Sequence, residues 1–290
     1  MSATQRDSTQ TGCRERRLRH LALAAVLFAL PAAADEPAQN ADAQAAHHHA
    51  LEAGRPVHWG YQKDDGPARW AELSPSYELC ESGKRQSPID LRDATPADTS
   101  VRAVRGYEPA TLAVAHHEHA VDVLDNGHTI QVTYDEGSTL SEGGTEFELV
   151  QYHFHAPSEH HVDGRSYPME MHLVHKSDDG HLAVVGVLIE TGQHNKAFDP
   201  IWGILPSSPG ESHHAEGVAV NVDDLLPKGG SYYRYQGSLT TPPCSEGVRW
   251  FVLQERIALS KDQIGAFTSI LHDNNRPVQP LEGRMVGIVK

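Results

Sequence analysis

The chain has 290 residues, with 24 Lys+Arg against 39 Asp+Glu for a formal net charge of -15, and 39% of it is hydrophobic. The length suffices for one large domain or two small ones, and the recurring apolar runs exclude disorder over most of it. The acidic balance argues against nucleic acid or an anionic membrane surface as the main partner. The 20 histidines point toward metal binding or proton transfer without locating either.

Residues 1–34 read as a secretory signal peptide. Arg14, Arg16, Arg17 and Arg19 precede an apolar run over 21–30, and Ala32-Ala33-Ala34 offers a small-residue cleavage site before Asp35. That run is too short for a transmembrane helix, so no membrane insertion is expected once the segment is removed. Five basic and two acidic residues leave with it, which makes the mature chain more acidic still. The expected destination is the periplasm, with release outside the cell also open. Cys13 leaves too, and Cys80 and Cys244 remain as an even pair suited to an oxidising compartment. Bridged, they would close a long loop worth up to about 5 kcal/mol in the chain-entropy model. Two free buried thiols are the alternative.

Residues 35–53 are Ala-rich and polar and read as a flexible lead-in; their His47-His48-His49 tract is expected to be solvated. From 54 to 290 there is no second linker and no repeat, so one domain is expected. A short helix or turn is expected to begin near Pro67 and carry Trp70 and Leu73. Residues 120–124 and 129–134 flank Asp125-Asn126-Gly127, a hairpin signal. Further strands are expected over 146–155, 170–176, 181–190, 218–222, 232–237 and 248–253. The clearest helix starts at Ser260, whose capping box is completed by Gln263, and runs to about Leu271. The predicted class is mostly β: a single domain on a large, mainly antiparallel twisted central sheet with a few short peripheral helices.

On a strand alternate side chains share a face, so Gln151, His153 and His155 point one way while Tyr152 and Phe154 point into a core. Glu170, His172 and Val174 repeat that logic on a strand close enough in the chain to lie alongside, antiparallel. His153, His155 and His172 then converge as neutral nitrogen ligands, and three His on zinc leave the fourth position open for catalysis. Gln151 and Glu170 are placed to accept the second ring N–H of nearby histidines and fix their tautomers. His116-His117-Glu118-His119, His160-His161, His194 and His213-His214 lack convergent partners and read as solvated.

The stretch Ser238-Leu239-Thr240-Thr241-Pro242-Pro243-Cys244, taken with Gln151 to His155, Ser158-Glu159-His160 and Glu170 to His175, strongly resembles the alpha-class carbonic anhydrases. His58-Trp59-Gly60-Tyr61, Gln86-Ser87-Pro88-Ile89-Asp90, Asn126-Gly127-His128 and Arg276-Pro277-Val278-Gln279-Pro280 match that family in the same order. The resemblance implies zinc (Zn2+) in a conical cleft and reversible hydration of carbon dioxide to bicarbonate and a proton by zinc-bound hydroxide. It implies His153, His155 and His172 as ligands, with Gln151 and Glu170 behind them. Thr240 is then the hydroxyl that donates to Glu159 and orients the nucleophile, since an ionised Glu159 can only accept. Val174, Val184, Leu239, Thr241, Val248 and Trp250 resemble the wall where the substrate rests. His128 matches the proton-shuttle position, with Tyr61, Asn126 and Gln131 ordering the intervening waters. Bacterial members are often dimers, which leaves a homodimer open.

Two other readings compete. His153-Phe154-His155 followed by Glu159 also fits the cupin pattern H-x-H-x3-E, but no Pro-x-Gly stretch precedes a last His, and Thr240 has no role there. Non-catalytic binding domains of the same family have lost ligands, whereas every expected ligand is present here. Departures are small: only three residues separate His155 from Glu159, Asn275 replaces a frequent Trp, and Gln236 a frequent Pro.

Overall fold

The computed structural model describes residues 57–96, 113–115, 118–134 and 136–290. The expected signal peptide, the lead-in with its histidine tract, and His116 and His117 lie outside these residues. In chain order the first strands are β1 (Asp90–Leu91), β2 (Thr95–Pro96), β3 (Ala113–Ala115), β4 (Glu118–Asp125), β5 (Ile130–Thr133), β6 (Thr139–Glu142) and β7 (Thr145–His155). There follow β8 (His161–Val162), β9 (Met169–Lys176), β10 (Leu182–Thr191), β11 (Ser212–Asn221), β12 (Tyr232–Ser238), β13 (Glu246–Leu253), β14 (Ile257–Leu259) and β15 (Gly287–Val289). The helices are short: α1 (Trp70–Leu73), α2 (Leu79–Ser82), α3 (Asp199–Trp202) and α4 (Lys261–Ile270).

Among the described residues one 13-stranded sheet dominates, ordered β11-β4-β5-β7-β9-β10-β13-β12-β15-β2, with β6 also on β7, β3 on β6 and β14 also on β10. Its pairs are mostly antiparallel, but β10 runs parallel to both β13 and β14, and β15 runs parallel to β2. The sheet is therefore mixed, with a parallel seam beside its centre. The chain returns to that seam only after passing through β11 and β12, as a parallel pair requires a crossover.

Local signals shape several elements. The Asp125-Asn126-Gly127 turn closes β4 on β5: Asn126 Oδ1 accepts from the N–H groups of His128 and Thr129, both at 2.9 Å. Gly127 sits at φ +86, where a side chain would be strained. The capping box of α4 is complete, with Ser260 Oγ accepting from Gln263 N and Gln263 Oε1 accepting from Ser260 N. One expected boundary differs. The strand foreseen over 218–222 instead spans Ser212–Asn221, and Val222 opens a 3-10 turn in which Asn221 Oδ1 accepts from Asp223 N. The missed half contains His213 and His214, paired with Val123 and Asp122 on an edge, where no apolar alternation marks a strand.

The apolar face of β7, β9 and β10 buries Tyr152, Phe154, Met171, Leu173, Val185 and Val187 in the main core, with Phe198 and Phe267 packed over it. Each such side chain contributes roughly 1.5–3 kcal/mol relative to exposure. A second cluster on the other face includes Val184, Val248, Trp250, Val252 and Tyr235. A disulfide joins Cys80 in α2 to Cys244 after β12, across 164 positions of sequence.

Candidate metal centre

Strand register assembles the site in three adjacent rows. His155 lies opposite Glu170, and Glu170 opposite Leu188. The next row runs Gln131, His153, His172, Gly186, Val252. The third runs Gln151, Val174, Val184, Trp250. Directly opposed residues in a sheet share a face, so three histidines from two strands meet beside an apolar row.

One ring nitrogen of each of His153, His155 and His172 lies within 4.8 Å of those of the other two. Each ring commits its other nitrogen outward. His153 Nδ1 donates to Gln151 Oε1 at 2.9 Å, and His155 Nδ1 donates to the Asn274 carbonyl at 2.7 Å. His172 Nε2 stands 2.9 Å from Glu170 Oε1. The inward nitrogens of His153 and His155 therefore carry lone pairs; His155 Nε2 is buried without a hydrogen-bond partner, and so is His172 Nε2, whose approach to Glu170 lacks hydrogen-bond geometry. Burial holds all three imidazoles below their ordinary pKa, His155 at about 4, so all are neutral at pH 7. Three convergent neutral imidazoles with an orphaned inward nitrogen fit zinc.

Glu170 is fully buried and takes four contacts. Oε1 meets His160 Nδ1 at 2.7 Å as well as His172, while Oε2 accepts from the N–H groups of Glu159 at 2.9 Å and His160 at 2.8 Å. Burial alone would raise this carboxyl, but His160 and His172 outweigh it and hold the group well below the usual range. His160 is thereby a correction to the sequence reading: it is not solvated but 0% exposed. With Nδ1–H donated to Glu170, its Nε2 must accept, so the Tyr235 hydroxyl donates to it at 2.6 Å. Tyr235 in turn accepts from Ser87 Oγ at 2.9 Å. The tract His160-His161 looks polar and exposed, and only the fold shows the first of the pair turning inward. His213 and His214 are partly or fully exposed and pair with Glu211 and Asp122, and His194 pairs with Asp199.

Glu159 is fully buried. Its Oε1 accepts from Arg276 N at 2.8 Å, and its Oε2 stands 3.6 Å from His155 Nε2 and 3.8 Å from His172 Nδ1. Burial pushes the carboxyl up to about 7, while His172, the Arg276 N–H and a hydrogen bond with the Thr240 side chain pull against that rise. Thr240 itself is 5% exposed and follows β12. Leu239 and Val174 pack on the cluster of Val184, Val248 and Trp250, and the Trp250 ring centroid lies 4.9 Å from that of His172. Thr241 accepts from Cys244 N at 2.8 Å, so the disulfide is tied to the loop that carries Thr240.

Around the rim, Asn126 Nδ2 donates to Gln131 Oε1 at 3.3 Å, and Gln131 lies opposite His153. The Tyr61 ring stands edge-on to Trp59 and Trp70, and burial raises its hydroxyl well above the ordinary value, with Glu159 adding to the rise. His128 is half-buried and stacks on Trp59, with centroids 3.7 Å apart and planes at 6°. Burial lowers its pKa, His58 adds to the fall, and Asp65 and Asp125 oppose it. Asn274 is a site residue that the sequence reading missed. Besides its carbonyl on His155, its side chain accepts from Ala156 N and donates to the carbonyls of Phe154 and His128. No motif marks it, because the acceptor that matters is backbone.

Fold and site together define a β-sheet protein with a three-imidazole site beside an apolar wall. Residues 65–289 match the family model described as eukaryotic-type carbonic anhydrase. The chain is 42% identical over 231 residues to a carbonic anhydrase of Pectobacterium carotovorum, covering 79% of this chain and 90% of that protein. It is 42% identical over 235 residues to one of Neisseria gonorrhoeae, covering 80% and 88%. The alpha-carbonic anhydrase from Thermovibrio ammonificans, solved with the inhibitor sulfanilamide, superposes with a TM-score of 0.75 at 42% identity, over 80% of this chain and 100% of that one. The chain belongs to the alpha carbonic anhydrase family.

Proposed function

We propose that this enzyme catalyses the reversible hydration of carbon dioxide to bicarbonate and a proton with one zinc ion held by His153, His155 and His172. The observation that carries this reading is the trio of neutral buried imidazoles, with the outward nitrogens of His153 and His155 hydrogen-bonded to acceptors and that of His172 beside the Glu170 carboxylate. When bound, zinc supplies Lewis acidity that brings the pKa of water to about 7, for which this enzyme class is the standard example.

The protein's own groups do the rest. Gln151, the Asn274 carbonyl and Glu170 hold the ring orientations, so the three inward lone pairs converge before the ion arrives. A dication beside Glu159 favours its ionised form, against the rise that burial imposes. Ionised, Glu159 only accepts, and Thr240 must donate to it. The Thr240 oxygen then has lone pairs left for the pocket, and a nucleophile there must present its own O–H to them, which aims its remaining lone pair. Val174, Val184, Leu239, Val248 and Trp250, with Thr241 at the edge, exclude water from the place where a small apolar substrate rests. His128 takes the released proton outward, with Tyr61, Asn126 and Gln131 as polar positions on its path. Its lowered pKa keeps it neutral and able to accept near pH 7.

The basic and apolar leader, together with the Cys80–Cys244 bridge, supports a periplasmic setting. Stopped-flow hydration by the zinc-loaded protein tests the proposal, with catalysis inhibited by a sulfonamide as the expected result. A rate no faster than buffer would overturn it.

A further inference from the structure

We infer that Gly186 is a positioning residue for His172, acting through the Glu170 carboxylate between them. The inference rests on reading His172 as a zinc ligand. Gly186 lies in β10, directly opposite His172 in β9 and Val252 in β13. It is the bare position in the row that carries two of the three histidines. Glycine weakens a strand interior, so its presence at the centre of a sheet needs a reason. Backbone conformation does not supply one, because Gly186 is not among the glycines with positive φ. Space does.

A methyl group at this position would stand 3.0 Å from Glu170 Oε1 and 3.3 Å from Val252 Cγ2. Glu170 has nowhere to go. Its Oε1 is shared between His160 Nδ1 and His172 Nε2, its Oε2 is held by two backbone N–H groups, and none of it reaches solvent. Pressing on Oε1 from the β10 side therefore acts on the contact with His172, the one that fixes which ring nitrogen faces inward. The missing side chain is what lets a buried carboxylate lie flat over β10 and hold His172 from behind.

The test is zinc affinity, measured by competition with a chelating dye, together with the NMR resonance of the His172 Nε2–H in the zinc-loaded protein. Gly186→Ala is expected to bind zinc about tenfold more weakly, the lower end of what loss of an outer partner does to metal affinity, and to shift that resonance. Because the methyl also meets Val252, Gly186→Ala/Val252→Ala is compared with Val252→Ala alone. This pair relieves the packing clash and leaves the contact with Glu170, so it reads the carboxylate even where the single variant folds poorly. The same tenfold loss in the double variant supports the inference. Equal affinity and an unmoved resonance in the pair would mean that Gly186 serves packing only, and would overturn it. A wild-type protein that holds no zinc would remove the ligand reading, and the inference with it.

Discussion

On β7 and β9, Tyr152, Phe154, Met171 and Leu173 are as deeply buried as His155, Glu170 and His172 on the opposite face. Both sets obey one alternation along the same strands, yet they are held by different means. The apolar set is satisfied by any close packing of about the right volume. In the polar set most outward-facing atoms have a named partner: Gln151 for His153, Asn274 for His155, and for Glu170 three donors and the nearby His172 ring. A change on the first face should be read in stability, and a change on the second in metal binding and chemistry.

Several substitutions can break that division. The largest expected effect is His172→Ala, which should lose both zinc, by metal analysis, and hydration activity; retained zinc would reassign the third ligand. Phe154→Ala, one residue from two other ligands but on the apolar face, should cost about 3–5 kcal/mol in denaturant unfolding. Its folded fraction should keep one zinc per chain, and a parallel loss of zinc would show that the faces are not independent. Thr240→Ala should keep zinc and lower the hydration rate by roughly 10²-fold, the size of effect seen when a pre-placed polar group is removed from a site. A smaller effect is expected farther out, at His128→Ala: slower turnover in dilute buffer, with partial rescue by imidazole. An unchanged rate would move the shuttle elsewhere.

The polar face also carries a pH signature in the metal-free protein. His153, His155 and His172 are held neutral, with His155 at about 4 against an ordinary 6.5. Between those values the unfolded chain binds more protons than the folded one, so stability is fully present above pH 6.5 and falls as pH drops toward 4. Each such group contributes up to about 1.4 kcal/mol per pH unit. Glu159, raised to about 7, acts in the opposite direction, but it is one group against three. Thermal melts of metal-free protein at pH 7 and pH 5 should show a lower melting temperature at pH 5. Equal values would mean that the imidazoles are not held neutral.

Much of this was legible beforehand, for reasons that differ by residue. The alternation Gln151-Tyr152-His153-Phe154-His155 assigns faces because side chains on a strand repeat every two residues, whatever the strand packs against. The Ser260–Gln263 box and the Asp125-Asn126-Gly127 turn were equally plain, since their hydrogen bonds close within a few residues. His160 was misread because two adjacent histidines look alike in sequence, and only the approach of Glu170 and Tyr235 separates the buried one from its neighbour. Asn274 was invisible because a backbone carbonyl carries no residue identity.

The sequence by itself determined which side chains share a face, which residue types offer nitrogen lone pairs, and, through its ordered motifs, the family to which the chain belongs. Those are properties of neighbouring residues and of composition. Tertiary structure alone decided the register that sets His153 against His172, and the parallel seam between β10 and β13. It also decided the burial that keeps three imidazoles neutral, and the acceptor that Asn274 brings from 119 positions away. Register and burial depend on contacts between distant segments, and those contacts exist only once the chain has folded.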